Sequence, residues 1–255
     1  MIRFSEFTKL RLTMLIAHTG AICGLVLIWD AKWLLLSAAC IIAFFWVGQE
    51  LYCHRYLCHR SFEMPLWVQR VCVILSIYNL FGHPIGIAAT HITHHKYSDT
   101  NKDPHPALTP WQSWFWVSKN FSNSVDQGVV KRLMRDPWLK FISAHYLLIY
   151  FGTAFLIGLF SIKILIYAIL IPHVYAFAAI GLITVFCHNK GYRRYNTADA
   201  STNNHWVNLM LGWNGAAFHN NHHAKPARYT TSDNWNEIDL IGVFVYFLFC
   251  KKKTL

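Results

Sequence analysis

Apolar residues gather into four long runs, approximately 12–29, 33–52, 145–162 and 164–187. Each comes near the ~20 helical residues needed to cross about 30 Å of hydrocarbon. Little more than Asp30-Ala31-Lys32 joins the first pair, and the Ser161-Ile162-Lys163 region joins the second, so each pair is predicted to be a helical hairpin. Of 23 lysines and arginines, only Lys32 and Lys163 fall in these tight turns. By the positive-inside rule both termini and the long middle segment then face the cytoplasm. A further apolar stretch, 66–89, is interrupted by Gln69, Arg70, Asn79, His83 and Pro84. It is expected to be interfacial or re-entrant, because a single crossing would separate polar clusters that belong on one side. The run 240–250 is too short to span comfortably and is expected to pack at the same interface. The predicted fold is an all-α membrane protein, a single domain over 1–255. It has four transmembrane helices as two hairpins and a cytoplasmic cap from 53–144 and 188–255.

Composition supports the membrane reading. The chain is 55% hydrophobic, 16% aromatic and only 14% charged, with a mean hydropathy of +0.28. That excess separates it from ordinary soluble domains. After MIRFSEFTKLR the apolar run reaches spanning length without a small-residue cleavage site, so no cleavable signal is expected. Cys23, Cys40, Cys53, Cys58, Cys72, Cys187 and Cys250 are odd in number and form no CxxC, which favours free thiols over a disulfide framework. A net charge of +11 without a compact basic domain points to anionic lipid and an acidic soluble partner, not to nucleic acid.

Against this background three polar clusters stand out: CHRYLCHR at 53–60, HITHHKYSDTNKDPH at 91–105 and FHNNHH at 218–223. His54 and His59 lie just past the second run. His91, His94 and His95 have the i, i+3, i+4 spacing of one helical face, and His219, His222 and His223 repeat it. Neutral imidazole is the commonest protein metal ligand and suits iron, zinc and copper. So many ligands exceed the four of a tetrahedral zinc, so two metals are expected. Asp99 and Asp103 are either acceptors for ring N–H groups or part of a solvated turn closed by Pro104.

HRYLCH, HITHHKYSDTNKDPH and HNNHH, with the flanks HRSFE, SDTNKDPH and NWNEID, resemble the three histidine boxes of the membrane fatty acyl desaturases of the stearoyl-CoA desaturase type. The resemblance covers nearly the whole chain. It implies two iron ions held by nine histidines, with O2 as co-substrate and a fatty acyl thioester (CoA or acyl carrier protein) as substrate. TVFCHNKGYRRY matches the family's additional histidine motif and nominates His188 as the ninth ligand; the residues alone made it only a histidine at a span end. His205, His18, His83, His145 and His173 fall outside the pattern, and His105 is placed beside the metal site at most. Three positions depart from the family. Thr184 stands where an Asn usually holds one iron through water, Ile92 replaces the Arg of the second box, and Gly215-Ala216-Ala217-Phe218 replaces GEG plus an aromatic.

The resemblance further places Trp114 and Lys119 at the substrate head group, although a Trp there also suits a membrane interface. The chain has no GxGxxG and no CxxCH, so electrons are expected from an external donor of the ferredoxin or cytochrome b5 type. Lys190, Arg193, Arg194 and Lys225 are candidates for docking it, or for lying against anionic lipid. The terminal KKKTL reads as a surface anchor or an endoplasmic reticulum retrieval signal, and a bacterial inner membrane is favoured over the endoplasmic reticulum. Rival readings are a di-iron hydroxylase or acetylenase and, from another class, a histidine-rich metal sensor or transporter. A transporter would place ionisable groups at mid-membrane depth, whereas these histidines sit at span ends.

Overall fold

The computed structural model describes residues 6–104 and 125–250, and among them every regular element is a helix. Apart from helices there are only isolated bridges, Tyr192 with Asn203 and Asn203 with Phe218. Helix α1 spans Glu6–Leu27, α2 Ala31–Cys58, α3 Leu66–Ser76, α4 Pro84–Tyr97, α5 Gln127–Leu133, α6 Pro137–Phe160 and α7 Ile162–Phe186. Three short elements follow: α8 at His205–Met210, α9 at His219–Ala224 and α10 at Leu240–Cys250.

Among the described residues α2, α6 and α7 are long and apolar enough to cross a membrane. The first apolar run forms α1, whose apolar stretch Arg11–Leu27 packs on α7. Asp30 closes it off: its backbone N–H donates to the Tyr167 hydroxyl at 2.9 Å, and the Ser37 hydroxyl donates to the Tyr167 carbonyl at 2.6 Å. These bonds tie the turn between α1 and α2 to the first turns of α7. The ambiguous stretch 66–89 is neither one straight helix nor a loop. Helical segments Leu66–Asn79 and Pro84–Tyr97 meet at 83°, the shape of a broken span or a re-entrant loop. Leu80 in the left-handed region, Gly82 at φ +119° and Pro84 at the next helix start make that corner.

Helix α2 departs from the expected 33–52 in a way that matters. It runs on to Cys58, and from Ile42 it is wound with i→i+5 bonds as a π-helix. Such winding is rare and gathers at functional sites. Residues five apart then lie one above the other, so the HxxxxH spacing of His54 and His59 falls on one side of the chain, with ring centroids 5.4 Å apart. Gly48 lets α3 approach this helix: a Cβ there would lie 2.6 Å from the Ser76 backbone nitrogen. The apolar core follows the same elements, with Phe45, Ile77, Leu80, Ala88 and Tyr167 fully buried between them.

Polar groups tie the segment after α7 to the end of α2. The Arg55 guanidinium, one residue past His54, donates to both Asp239 oxygens at 2.9 Å and to the carbonyls of Tyr229 and Asn214 at 2.8 and 3.1 Å. Burial works to raise the Asp239 carboxyl, but the adjacent Arg55 charge and bonds from Arg55, Gly242 and Thr231 hold it below the ordinary carboxylate range.

Candidate metal centre

Four elements deliver imidazoles to one place: α2 carries His54 and, at its end, His59; α4 carries His91, His94 and His95. His188 follows α7, and α9 carries His219, His222 and His223. They form two groups, His54, His59, His91, His95 and His222 in one and His94, His188, His219 and His223 in the other. Within each group the ligand atoms lie within 4.8 Å of one another. The third box is short, and its two asparagines place it. Asn220 Oδ1 accepts from the backbone of Arg194 and Tyr195 at 2.8 and 2.7 Å, while Asn221 donates to the Thr231 carbonyl and Glu237 at 2.9 and 3.0 Å.

The histidines are oriented from behind by carboxylates. Nδ1 of His94 donates to Asp103 at 2.9 Å, Nδ1 of His188 to Asp99 at 3.0 Å, Nδ1 of His54 to Glu50 at 2.9 Å and Nδ1 of His223 to Asp199 at 2.8 Å. Asp99 and Asp103 were visible candidates in the sequence; Glu50 and Asp199 were missed. Glu50 had a signal, a carboxylate inside an apolar helix four residues before a histidine, which burial makes costly unless it is paired. Asp199 lies in an irregular loop where no spacing points to it. Burial works to raise its carboxyl, yet the bonds from His223, Ser201 and Thr197 outweigh that and hold it below the usual range. Burial and the neighbouring imidazoles push His219 and His222 well below the ordinary histidine value, and burial lowers His223 to about 4 despite its Asp199 bond. The rings of the third box are therefore neutral, the form that ligates metal.

Their front faces converge too closely for imidazoles alone. Nε2 of His54 lies 2.8 Å from that of His222, which is 2.9 Å from His95. His95 is 3.0 Å from His91, itself 2.9 Å from His59. A neutral ring's Nε2 bears either a proton or a lone pair, so it serves one linear hydrogen bond. In that run of five rings at most two of the four approaches are hydrogen bonds, and the rest crowd nitrogens that have no bond left to make. A shared cation removes the conflict: two nitrogens about 2.1 Å from an ion and at right angles about it are about 3.0 Å apart. The donor set is all imidazole, with five rings in one group and four in the other; the five-ring group exceeds the four ligands of tetrahedral zinc and suits a transition metal of higher coordination number. In the second group the buried His219 Nδ1 has no hydrogen-bond partner.

Both groups open on one cavity of about 390 Å³ between α2, α4 and α7. His54, His91, His94, His188 and His219 line one end, and Phe81, Ile87, Ala89, Ile180 and Ile183 supply apolar wall. Thr184 lines it too, its hydroxyl donating back to the Ile180 carbonyl at 2.9 Å. Ile92, in place of the family's Arg, packs into the core around α2. His205 stays outside both groups, its ring stacked on Tyr192 at 5.4 Å; His18, His83, His145 and His173 are outside them as well. His105, Trp114 and Lys119 lie outside the described residues, as does the KKKTL end.

The sequence model for fatty acid desaturases matches residues 31–236, from the start of α2 to the loop before α10. The chain belongs to the fatty acid desaturase family. These are oxidoreductases, and the chain is similar to several curated members. It is 29% identical over 223 residues to an acyl-CoA 5-desaturase of Anemone leveillei, covering 83% of this chain and 66% of that protein. It is 28% identical over 239 residues to an sn-1 stearoyl-lipid 9-desaturase of Anabaena variabilis, covering 91% and 86%. A probable chloroplastic lipid desaturase of Arabidopsis thaliana is 30% identical over 234 residues, covering 86% and 61%. The desaturase-family chain thus spans just under two thirds of the Anemone protein's length and most of the cyanobacterial one's. Helix α1 lies outside the family match.

Proposed function

We propose that this chain is an O2-dependent fatty acyl desaturase that introduces a cis double bond into a thioester-linked acyl chain, on CoA or acyl carrier protein. The observation that carries the reading is the opening of two convergent imidazole groups on a single largely apolar cavity. His54, His59, His91, His95 and His222 would hold one iron, and His94, His188, His219 and His223 the other. When bound, the iron pair supplies the O2 chemistry that removes two hydrogens from an unactivated chain, which no side-chain acid or base does. The protein's part is positional. Glu50, Asp99, Asp103 and Asp199 fix ring orientation and keep the Nδ1 proton in place. The apolar wall excludes water and holds the acyl chain beside the histidines. Trp114 and Lys119 are proposed for the head group.

The proposed setting is a multi-pass protein of one domain, with both termini and the cap (53–144 and 188–255) on the cytoplasmic side, in a bacterial inner membrane. An acidic external donor of ferredoxin or cytochrome b5 type supplies electrons. The candidate docking cations differ in what they touch: Arg194 pairs with Glu237 at 2.7 Å and Lys225 with Asp233 at 3.5 Å. Arg193 donates to the carbonyls of Thr197, Asp199 and Ser201, whereas Lys190 is exposed. Nucleic acid has no part in the reading.

Expression in a bacterial host, with total fatty acids read by gas chromatography–mass spectrometry, tests it. The intact chain is expected to yield a new unsaturated acid, and His94→Ala or His222→Ala none, although both variants remain in the membrane. His205→Ala is expected to keep full activity. A new hydroxy acid would move the assignment to a hydroxylase on the same metal site. Unchanged product in both box variants would sink the ligand assignment.

A further inference from the structure

Helix α8 presents an unusual face. Its inner side is satisfied: Val207, Asn208 and Leu211 are buried, with Val207 and Leu211 packed in the core that includes Ala216 and Ala217. Its outer side is also apolar, with Trp206 74% and Met210 62% exposed and Leu209 and Trp213 exposed beside them. A helix whose outer side meets water carries polar residues there, so contiguous exposed aromatics mark a contact.

The surroundings identify what it contacts. Asn208 donates to the Ile238 carbonyl at 2.8 Å, and the Leu240 N–H donates to the Trp213 carbonyl at 2.9 Å, so α8 lies edge to edge with the start of α10. Ile238, Leu240, Val243, Phe244 and Phe247 are exposed along that edge, and Trp235 is 91% exposed next to it. Depth comes from α2. The turn after α8 rests on the spanning helix: a Cβ on Gly212 would lie 2.8 Å from the Trp46 ring, and Asn214 accepts from Arg55. The segment thus occupies the height between Arg55 and Trp46 on a helix long and apolar enough to cross the bilayer. Farther along that helix Leu34, Leu35 and Ile42 are exposed. At the other end the α8 N-cap, Asn204, donates to the Lys190 carbonyl at 3.0 Å, so an exposed lysine stands at the start of the face, a cation of the kind that lipid phosphates attract. Tryptophans with a cationic rim are what an interfacial contact requires.

We propose that α8 and its following turn, with Trp235 and Ile238, form a lipid-docking surface that seats the histidine-bearing cap in the interfacial layer of the bilayer. The occupant is membrane lipid. The surface adjoins α10's exposed apolar side and does not depend on which reaction the metal centre performs.

The test is ¹⁹F NMR of the full-length protein, labelled with 5-fluorotryptophan, in nanodiscs of phosphatidylethanolamine and phosphatidylglycerol. Trp206→Phe and Trp235→Phe assign the two resonances; both side chains are exposed, so neither change removes core packing. Both signals are expected to broaden several-fold more with a lipid carrying a nitroxide near its headgroup than with a water-soluble gadolinium chelate. Broadening by the chelate alone would overturn the proposal by placing the face in water. Protection from both agents would also overturn it, since protein would then be covering the face.

Discussion

His54, His94, His188 and His223 each donate an Nδ1–H hydrogen bond to a carboxylate, that of Glu50, Asp103, Asp99 and Asp199 respectively. That arrangement leaves Nε2 with its lone pair facing the centre. Removing the charge behind a ring weakens its basicity and loosens its tautomer, typically at 10–100-fold in metal affinity. Glu50→Gln and Asp199→Asn are therefore expected to lower iron affinity by roughly that factor while helical content stays the same. Titration of the purified variants with Fe²⁺ under anaerobic conditions measures it, and wild-type affinity in both would remove these residues from the site. At this scale the histidines were legible because their spacings repeat, whereas two of the four carboxylates were not. Asp99 and Asp103 sit in the same sequence cluster as His94, but Asp199 reaches His223 only through the fold of the 188–204 loop.

The elements explain why three motifs far apart in sequence meet. The π winding of α2 aligns His54 with His59, the 83° corner turns α4 back toward α2, and the Asn203–Asn221 bond at 2.7 Å anchors α9 on the loop after α7. Apolar periodicity revealed the long helices but not these devices, since π winding and side-chain staples leave no hydrophobic period. The buried Arg55–Asp239 pair is the joint between α2 and the start of α10, with side chains 2% and 1% exposed. Asp239→Ala leaves that guanidinium buried and uncompensated, at an expected cost of about 3–5 kcal/mol. The pair also carries a pH signature. Asp239 is held below its ordinary value, so the unfolded chain takes up the proton first as pH falls. Its stabilisation is complete above about pH 3.9 and is lost as pH drops through the lower folded value. Thermal midpoints of wild type and Asp239→Asn should converge at the acid end of that range and separate above it. A constant gap across pH would contradict the assignment.

At the scale of the molecule, the four apolar runs marked out most of what the fold needed. The first forms α1, which ends at Leu27 and packs on α7 with Leu15, Ile22, Val26 and Leu27 left exposed, and it lies outside the residues matched by the family. Hydropathy reports what an element can bury, not whether lipid or a neighbouring helix covers it. The interfacial character of α8 was hidden for the same reason, because a short helix with an apolar outer side resembles core when only its sequence is read. The candidate metal centre joins these parts: α2, α4, α9 and the residue after α7 each supply histidines to it, so binding energy at the two groups would act on the packing of the whole helical assembly. Metal that binds only the folded chain stabilises it by about 2.7 kcal/mol at a free concentration one hundred times Kd. For a chain of this size that corresponds to a loss of roughly 5–10 °C in thermal midpoint on chelation. Readdition of Fe²⁺ is expected to restore the midpoint in wild type and only partly in His222→Ala, which leaves the four-histidine group intact. Thiol-reactive dye unfolding of the detergent-solubilised protein reads this through Cys53, Cys58, Cys72 and Cys187, which are free and buried. An unchanged midpoint after complete removal of iron would mean that the helices hold the rings together unaided, against the crowding of their Nε2 atoms.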